Sequence, residues 1–177
     1  MAGGATRTTS ETAHHIFITG TVNAHALEKE ALQIMQRQVE RLENYPEMRE
    51  LLQMHIRETE EQIRRVDEIL HSHGEDRSLL KDTVTQIMGN MAAIAHVPMA
   101  DEILKDTFAN HAFENFEIAA YTSLIAMADA AGHRNHIPAL EQTLREERKM
   151  AQAVHDLIEP TTRRFIKLSE EGRKADR

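Results

Sequence analysis

Taken in alternate steps of four and three residues, the chain resolves into stripes that are apolar at both ends and polar in the middle, which is the period of helices. The plainest is Ile103, Thr107, Asn110, Glu114, Glu117, Tyr121, Leu124 and Ala128; it predicts a helix over 99–131, opened after Pro98 and ended by Gly132. A helix over 23–43 is predicted with Asn23 as its cap and Ala24, Glu28, Ala31, Met35, Gln38 and Leu42 inward. Pro46 disfavours continuation and suits the first turn of a new helix, predicted over 46–72 with Met48, Leu52, His55, Thr59, Gln62, Val66 and Ile69 inward. A fourth helix, from about 135–138 to 159, turns Ile137, Leu140, Leu144, Glu147, Ala151, Val154 and Ile158 inward, with Glu146 on the adjoining flank.

Between Gly74 and Pro98 a weaker apolar pattern (Leu79, Leu80, Val84, Ile87, Met88, Met91, Ile94) predicts a shorter helix inside a crossover. Residues 1–22 are small, polar and aperiodic, and are expected to form a flexible arm with one short ordered piece at 15–18. Residues 160–177, after Pro160, are expected to be a tail with room for one more helix at 163–170 and a frayed end. Two helical hairpins joined by one long crossover have the connectivity of a ferritin-like four-helix bundle, so the expected fold is all-α, a bundle over 23–159 with an extra helix in the crossover.

Each predicted helix carries acid at mid-height: Glu28, then Glu58 with His55, then Glu114 with Glu117, then Glu146 or Glu147. Residues three apart share a face about one turn apart, so His55 and Glu58 converge, as do Glu114 and Glu117. An ionised carboxylate in an apolar interior costs several kcal/mol unless it is paired, protonated or bound to a cation. Carboxylates with an imidazole suit iron or manganese, and a pair of ions, or one, would neutralise several acids at once. A single glutamate on an inner stripe is ordinarily a surface residue on a slightly rotated helix; four helices doing so at one height point to a metal site. Tyr121, one turn beyond Glu117, either bonds a ligand or serves as a radical or electron relay, or is a core tyrosine with a buried partner.

Composition narrows the alternatives. The chain has no cysteine, which excludes disulfides, thiolate nucleophiles and cysteine-ligated clusters. Glycine (7) and proline (4) are scarce, which favours long helices. A net charge of -8 argues against nucleic acid and anionic membrane surfaces as partners. No apolar run is long enough to span a bilayer and the N-terminus lacks a signal-peptide core, so the expected location is the cytoplasm. There is no nucleophile motif, phosphate loop or dinucleotide fingerprint.

The blocks Leu27-Glu28-Lys29, His55-Ile-Arg-Glu58-Thr59-Glu-Glu-Gln62, Phe116-Glu117-Ile-Ala-Ala-Tyr121 and Leu140-Glu-Gln-Thr-Leu-Arg-Glu146-Glu147 resemble the YciE/YciF-type stress-associated family of ferritin-like proteins over about 24–158. The resemblance implies a di-metal carboxylate bundle, usually dimeric, linked to bacterial stress. Carried over by position, it implies Glu28, His55, Glu58, Glu114, Glu117 and Glu147 as the metal-site residues. The better-known ferritin pattern has Glu-x-x-His on two helices. Here the second helix reverses it, as His55-x-x-Glu58, and the fourth offers Glu147-Arg-Lys-Met150, so Glu114 stands in for the absent histidine.

The expected function is therefore an iron or manganese carboxylate protein that reacts with dioxygen or peroxide, or holds iron, and forms a homodimer or larger homo-oligomer. The rival is a structural or interaction bundle without metal, whose acids are protonated or bonded to Gln38, Thr59, Gln62 and Tyr121. Other histidines carry less: His71-Ser-His73 suits the negative end of a helix dipole, His14-His15 lies in the arm, and His25 is expected at the flank of a first turn.

Overall fold

A computed structural model describes residues 9–74 and 100–177 of the chain. Among these residues the fold is all-α: α1 (Thr9–Arg41), α2 (Pro46–Ser72), α3 (Glu102–Ala130) and α4 (Ile137–Glu170), with a short 3-10 turn Arg134–His136 before α4. The four pack as a bundle, α1 against α2 and α3, and α4 against α2 and α3. The helix predicted within 75–98 lies outside the described residues. No helix among the described residues is long and apolar enough to cross a membrane.

The inner stripes of α2 and α3 are buried along their whole length, residue for residue as their period requires. Two apolar layers result. One holds Leu42, Tyr45, Met48, Ile103, Val154 and Leu168; the other holds Phe17, Ile69, Leu124, Ala128 and Leu140. The start of α2 thus lies in the same layer as the start of α3, and its end lies in the opposite layer. Helices α2 and α3 therefore run in the same direction along the bundle. The acidic residues sit between the layers.

Two boundaries correct the expectations above. The stretch expected to be an arm is helical from Thr9, and α1 reaches back fourteen residues before Asn23. Its stripe continues the same step, Met35, Ala31, Glu28, Ala24, Thr21, Phe17, and Phe17 and Thr21 are 0% exposed. Gly20 and the β-branched residues around it are weak helix formers, but tertiary packing outweighs propensity. Gly20 lies at a close approach of α1 to α3: a Cβ there would lie 2.8 Å from Met127 Sδ and 3.1 Å from Leu124 Cδ1, so a larger residue would require those side chains to shift.

The second correction is at Pro160, which sits inside a continuous α4. A proline there removes a backbone donor and crowds the preceding turn, at a cost of about 3 kcal/mol. The turns beyond it are held by buried Thr161 and Leu168. After α4, Gly172 takes φ 64° and the chain folds back. Ala175 is buried, the Tyr45 hydroxyl donates to its carbonyl at 2.6 Å, and Asn44 Nδ2 donates to Arg177 O at 2.7 Å. The expected frayed end is a docked segment that closes the layer around Tyr45.

Because Phe17 is part of the core, Phe17→Ala is expected to lower stability by about 3–5 kcal/mol in urea unfolding. A change below about 0.5 kcal/mol would mark residues 9–22 as the surface arm.

Candidate metal centre

Between the two layers, α2 brings His55 to the bundle axis, α3 brings Glu114 and Glu117, and α4 brings Glu147. One ligand atom from each of these four lies within 4.8 Å of the others. None of the four is more than 4% exposed. The His55 Nε2 atom is 3.4 Å from Glu114 Oε2 and 3.5 Å from Glu147 Oε2. Glu28 enters from α1, and its Oε1 accepts a 2.5 Å hydrogen bond from the Tyr121 hydroxyl.

The hydrogen-bonding partners are too few for the acids. Glu28 Oε2 and both oxygens of Glu117 are buried without a hydrogen-bond partner among the described residues, and Glu114 Oε2 and Glu147 Oε2 have only the shared His55 ring nitrogen facing them. Gln62 Nε2 satisfies Glu147 Oε1, and Tyr121 satisfies one oxygen of Glu28. Buried polar atoms are nearly always partnered, so such a concentration in one place marks where a cation fits. The donor set is hard oxygen with one imidazole, which matches iron or manganese better than a soft metal.

Protonation follows from the same crowding. Burial, then the charge of Glu147, pushes Glu28 well above the ordinary carboxyl value, although the Tyr121 bond opposes this. Burial and then Glu28, Glu147 and Glu114 push Glu117 up in the same way. Burial lifts Glu114 to about 7 against the pull of His55. For His55 burial favours the neutral ring, but bonds to Glu114, Glu147 and Glu58 outweigh it and hold the imidazolium well above its usual range. Tyr121 is raised by burial and by Glu28.

The remaining candidates are placed differently. Glu58, about a quarter exposed, stands at the rim, where it accepts from His55 Nδ1 at 3.0 Å and lies 3.7 Å from Lys149 Nζ. The bond to His55 draws its pKa down. Of the two acids on α4, Glu147 points into the cluster, while Glu146 is clamped by Arg65 at 2.7 and 2.8 Å. Arg65 had no sequence signal, because its partner depends on how α2 faces α4. His25 is in the middle of α1, not at a first turn, and its Nε2 is 3.1 Å from Asp67 Oδ1. A cleft of about 490 Å³ between α1 and α3, walled by Ile34, Met35, Phe108 and Phe113, reaches Glu114 and suits entry of a small apolar molecule.

Comparison with known proteins places these features in a family. The profile described as Domain of unknown function (DUF892) matches residues 12–167. Among solved structures, protein XCC3681 of Xanthomonas campestris is similar with a TM-score of 0.76 and 25% identity, covering 90% of this chain and 99% of that one. The E. coli stress protein YciF superposes with a TM-score of 0.70 and 23% identity, over 82% of this chain and 94% of that one. YcfI of Rhodopseudomonas palustris, titled a putative structural protein, gives 0.62 and 21%, over 88% and 98%.

The protonation pattern sets a pH dependence for chelator-treated protein. Glu114 titrates above its ordinary value of 4.5, and His55 above 6.5, so each binds more protons folded than unfolded. Their contributions are complete at low pH and are lost as pH rises through the folded values. Asp106, lifted to about 6 by burial and by Glu102, acts in the same direction, whereas His73, His133 and His136, held below the ordinary histidine value by burial and neighbouring rings, act the other way up to about pH 7, and Glu58 does so only near and below pH 4.5. Above about pH 7, where those three rings are neutral folded and unfolded, the melting temperature of the metal-free protein is therefore expected to fall as pH rises to about 8.5, and Glu114→Gln to flatten the slope. A midpoint that rises over this range would contradict the assignment.

Proposed function

The chain belongs to the DUF892 family, and we propose that it is a ferritin-like carboxylate protein that holds a pair of iron or manganese ions in its core. The supporting observation is the crowding of buried carboxylate oxygens of Glu114, Glu117 and Glu147 around one imidazole, with both oxygens of Glu117 and the Oε2 of buried Glu28 unpartnered among the described residues. These four glutamates and His55 would be the ligands. When bound, the ions would supply one-electron redox chemistry toward dioxygen or peroxide, or constitute held iron. The similar E. coli protein YciF is a stress protein, which agrees with such a role.

The chain's own residues have separable tasks. Glu58 accepts the Nδ1 proton of His55, which fixes the ring and directs Nε2 toward Glu114 and Glu147. Tyr121 holds one oxygen of Glu28 and leaves the other buried and unpartnered, which supports a positioning role rather than a radical one. Gln62 does the same for Glu147. Glu117 has both oxygens unpartnered, which makes it the best candidate to bridge two ions. Glu114 would supply the ligand that a histidine three residues after Glu147 would otherwise give. The cleft that reaches Glu114 would give a small oxidant a route to the cluster.

Metal analysis of protein loaded with Fe(II) or Mn(II) and then desalted tests the proposal. Wild type is expected to retain up to two ions per chain, Glu117→Gln to lose them, and Glu58→Gln to bind roughly 10–100-fold more weakly through the loosened ring. Metal at trace level in wild type would favour the metal-free structural bundle, whose melting midpoint would rise with protein concentration and ignore chelators, and metal unchanged in Glu117→Gln would overturn the assignment of this core as the site.

A further inference from the structure

A second cluster of metal-binding side chains lies at the other functional end of α1, remote from the carboxylates. His14, in the second turn of α1, is roughly 21 Å along the helix from Glu28 at 1.5 Å per residue. It meets His73, the residue that caps α2, and His133 and His136, which flank and end the 3-10 turn between α3 and α4. The expectations for these residues are thereby revised: His14 is not incidental, and His73 works with sequence-distant partners instead of with His71.

The geometry is that of converging ring nitrogens. His14 Nδ1 is 2.8 Å from His133 Nε2, and His73 Nε2 is 3.1 Å from His136 Nε2. One nitrogen from each of His14, His73 and His133 lies within 4.8 Å of the other two. The rings of His73 and His133 are centred 4.4 Å apart, and fully buried Phe17 forms a floor, its ring 5.1 Å from His133 and 5.8 Å from His73. A tetrahedral cation with about 2.0–2.1 Å bonds to nitrogen separates its ligands by roughly 3.3 Å, so small ring rotations would bring this set into register. All four rings are half-buried, so the cluster is reachable from solvent. Burial and neighbouring rings keep His73, His133 and His136 below the ordinary histidine value, so their lone pairs are available near neutral pH.

We propose that His14, His73 and His133 form a second metal site, with His136 at the fourth position, that takes a late first-row divalent cation of the Zn²⁺ class. An all-imidazole donor set suits zinc, nickel and copper, whereas the oxygen-rich core suits iron or manganese, so one bundle offers two sites of opposite preference. Bound there, the cation ties the start of α1 to the end of α2 and to the α3–α4 junction. The site adds a clamp on the segment of α1 that carries Gly20 and Phe17.

Tag-free, chelator-treated full-length protein titrated with Co²⁺, then Zn²⁺, tests this. Wild type is expected to show the visible d–d absorption of a tetrahedral nitrogen-ligated Co²⁺, displaced by Zn²⁺. His14→Ala/His133→Ala should lose that signal, while Glu28→Gln/Glu117→Gln, which disables the carboxylate cluster, should keep it; the two sites thus fail separately. Zn²⁺ should also shield His14, His73 and His133 of wild type from diethylpyrocarbonate, a readout that needs no variant to fold. Absence of the signal in wild type, its survival in the histidine variant, or full modification of the three rings under Zn²⁺ would overturn the proposal.

Discussion

Four glutamates removed from water in the middle of a helical bundle are the constraint on which the structure depends. Each ionised carboxylate in such a place costs several kcal/mol unless something compensates it. Within the cluster the chain supplies one imidazole at His55, one phenol at Tyr121 and one amide at Gln62. That leaves the oxygens of Glu117 unserved and drives Glu28, Glu114 and Glu117 toward protonation. A polypeptide free to minimise its energy would place leucine there. The arrangement is intelligible as a pocket completed by positive charge from outside the chain.

The rest of the fold holds these groups in register. Apolar layers above and below, one around Tyr45, Met48 and Leu168 and the other around Phe17, Leu124 and Leu140, exclude water from both ends of the cluster. Each layer is closed by a segment that local propensity does not favour. At one end the C-terminal residues fold back onto Tyr45 through the Ala175 carbonyl. At the other, the first turns of α1, before Gly20 packs against Met127, lie among histidines drawn from two other places in the chain, the end of α2 and the α3–α4 junction. Desolvation by the layers raises the carboxyl pKa values, and it would also strengthen any cation's hold on them.

Periodicity made much of this legible. The stripes of α2 and α3 are uninterrupted, so the burial of His55, Gln62, Glu114, Glu117 and Tyr121 follows from spacing alone. What periodicity missed has physical causes. Gly20 and its β-branched neighbours hid the first part of α1, although Phe17 and Thr21 keep its step. Pro160 suggested a break that the packing of Thr161 and Leu168 overrides. The choice between Glu146 and Glu147 turned on Arg65, a residue of another helix. Glu58 shares His55's face, yet lies far enough toward the rim to orient the ring from Nδ1. The histidine cluster joins residues 119 apart in sequence, so no local spacing announces it.

The most direct measurement is anomalous scattering at the iron and manganese edges from crystals grown with each metal. The account predicts density in the bundle core contacting Glu117, with His55 Nε2 and carboxylate oxygens of Glu28, Glu114 and Glu147 around it. A core free of anomalous density in well-ordered crystals of the metal-supplemented protein, with the same glutamates hydrogen-bonded to one another, would contradict it.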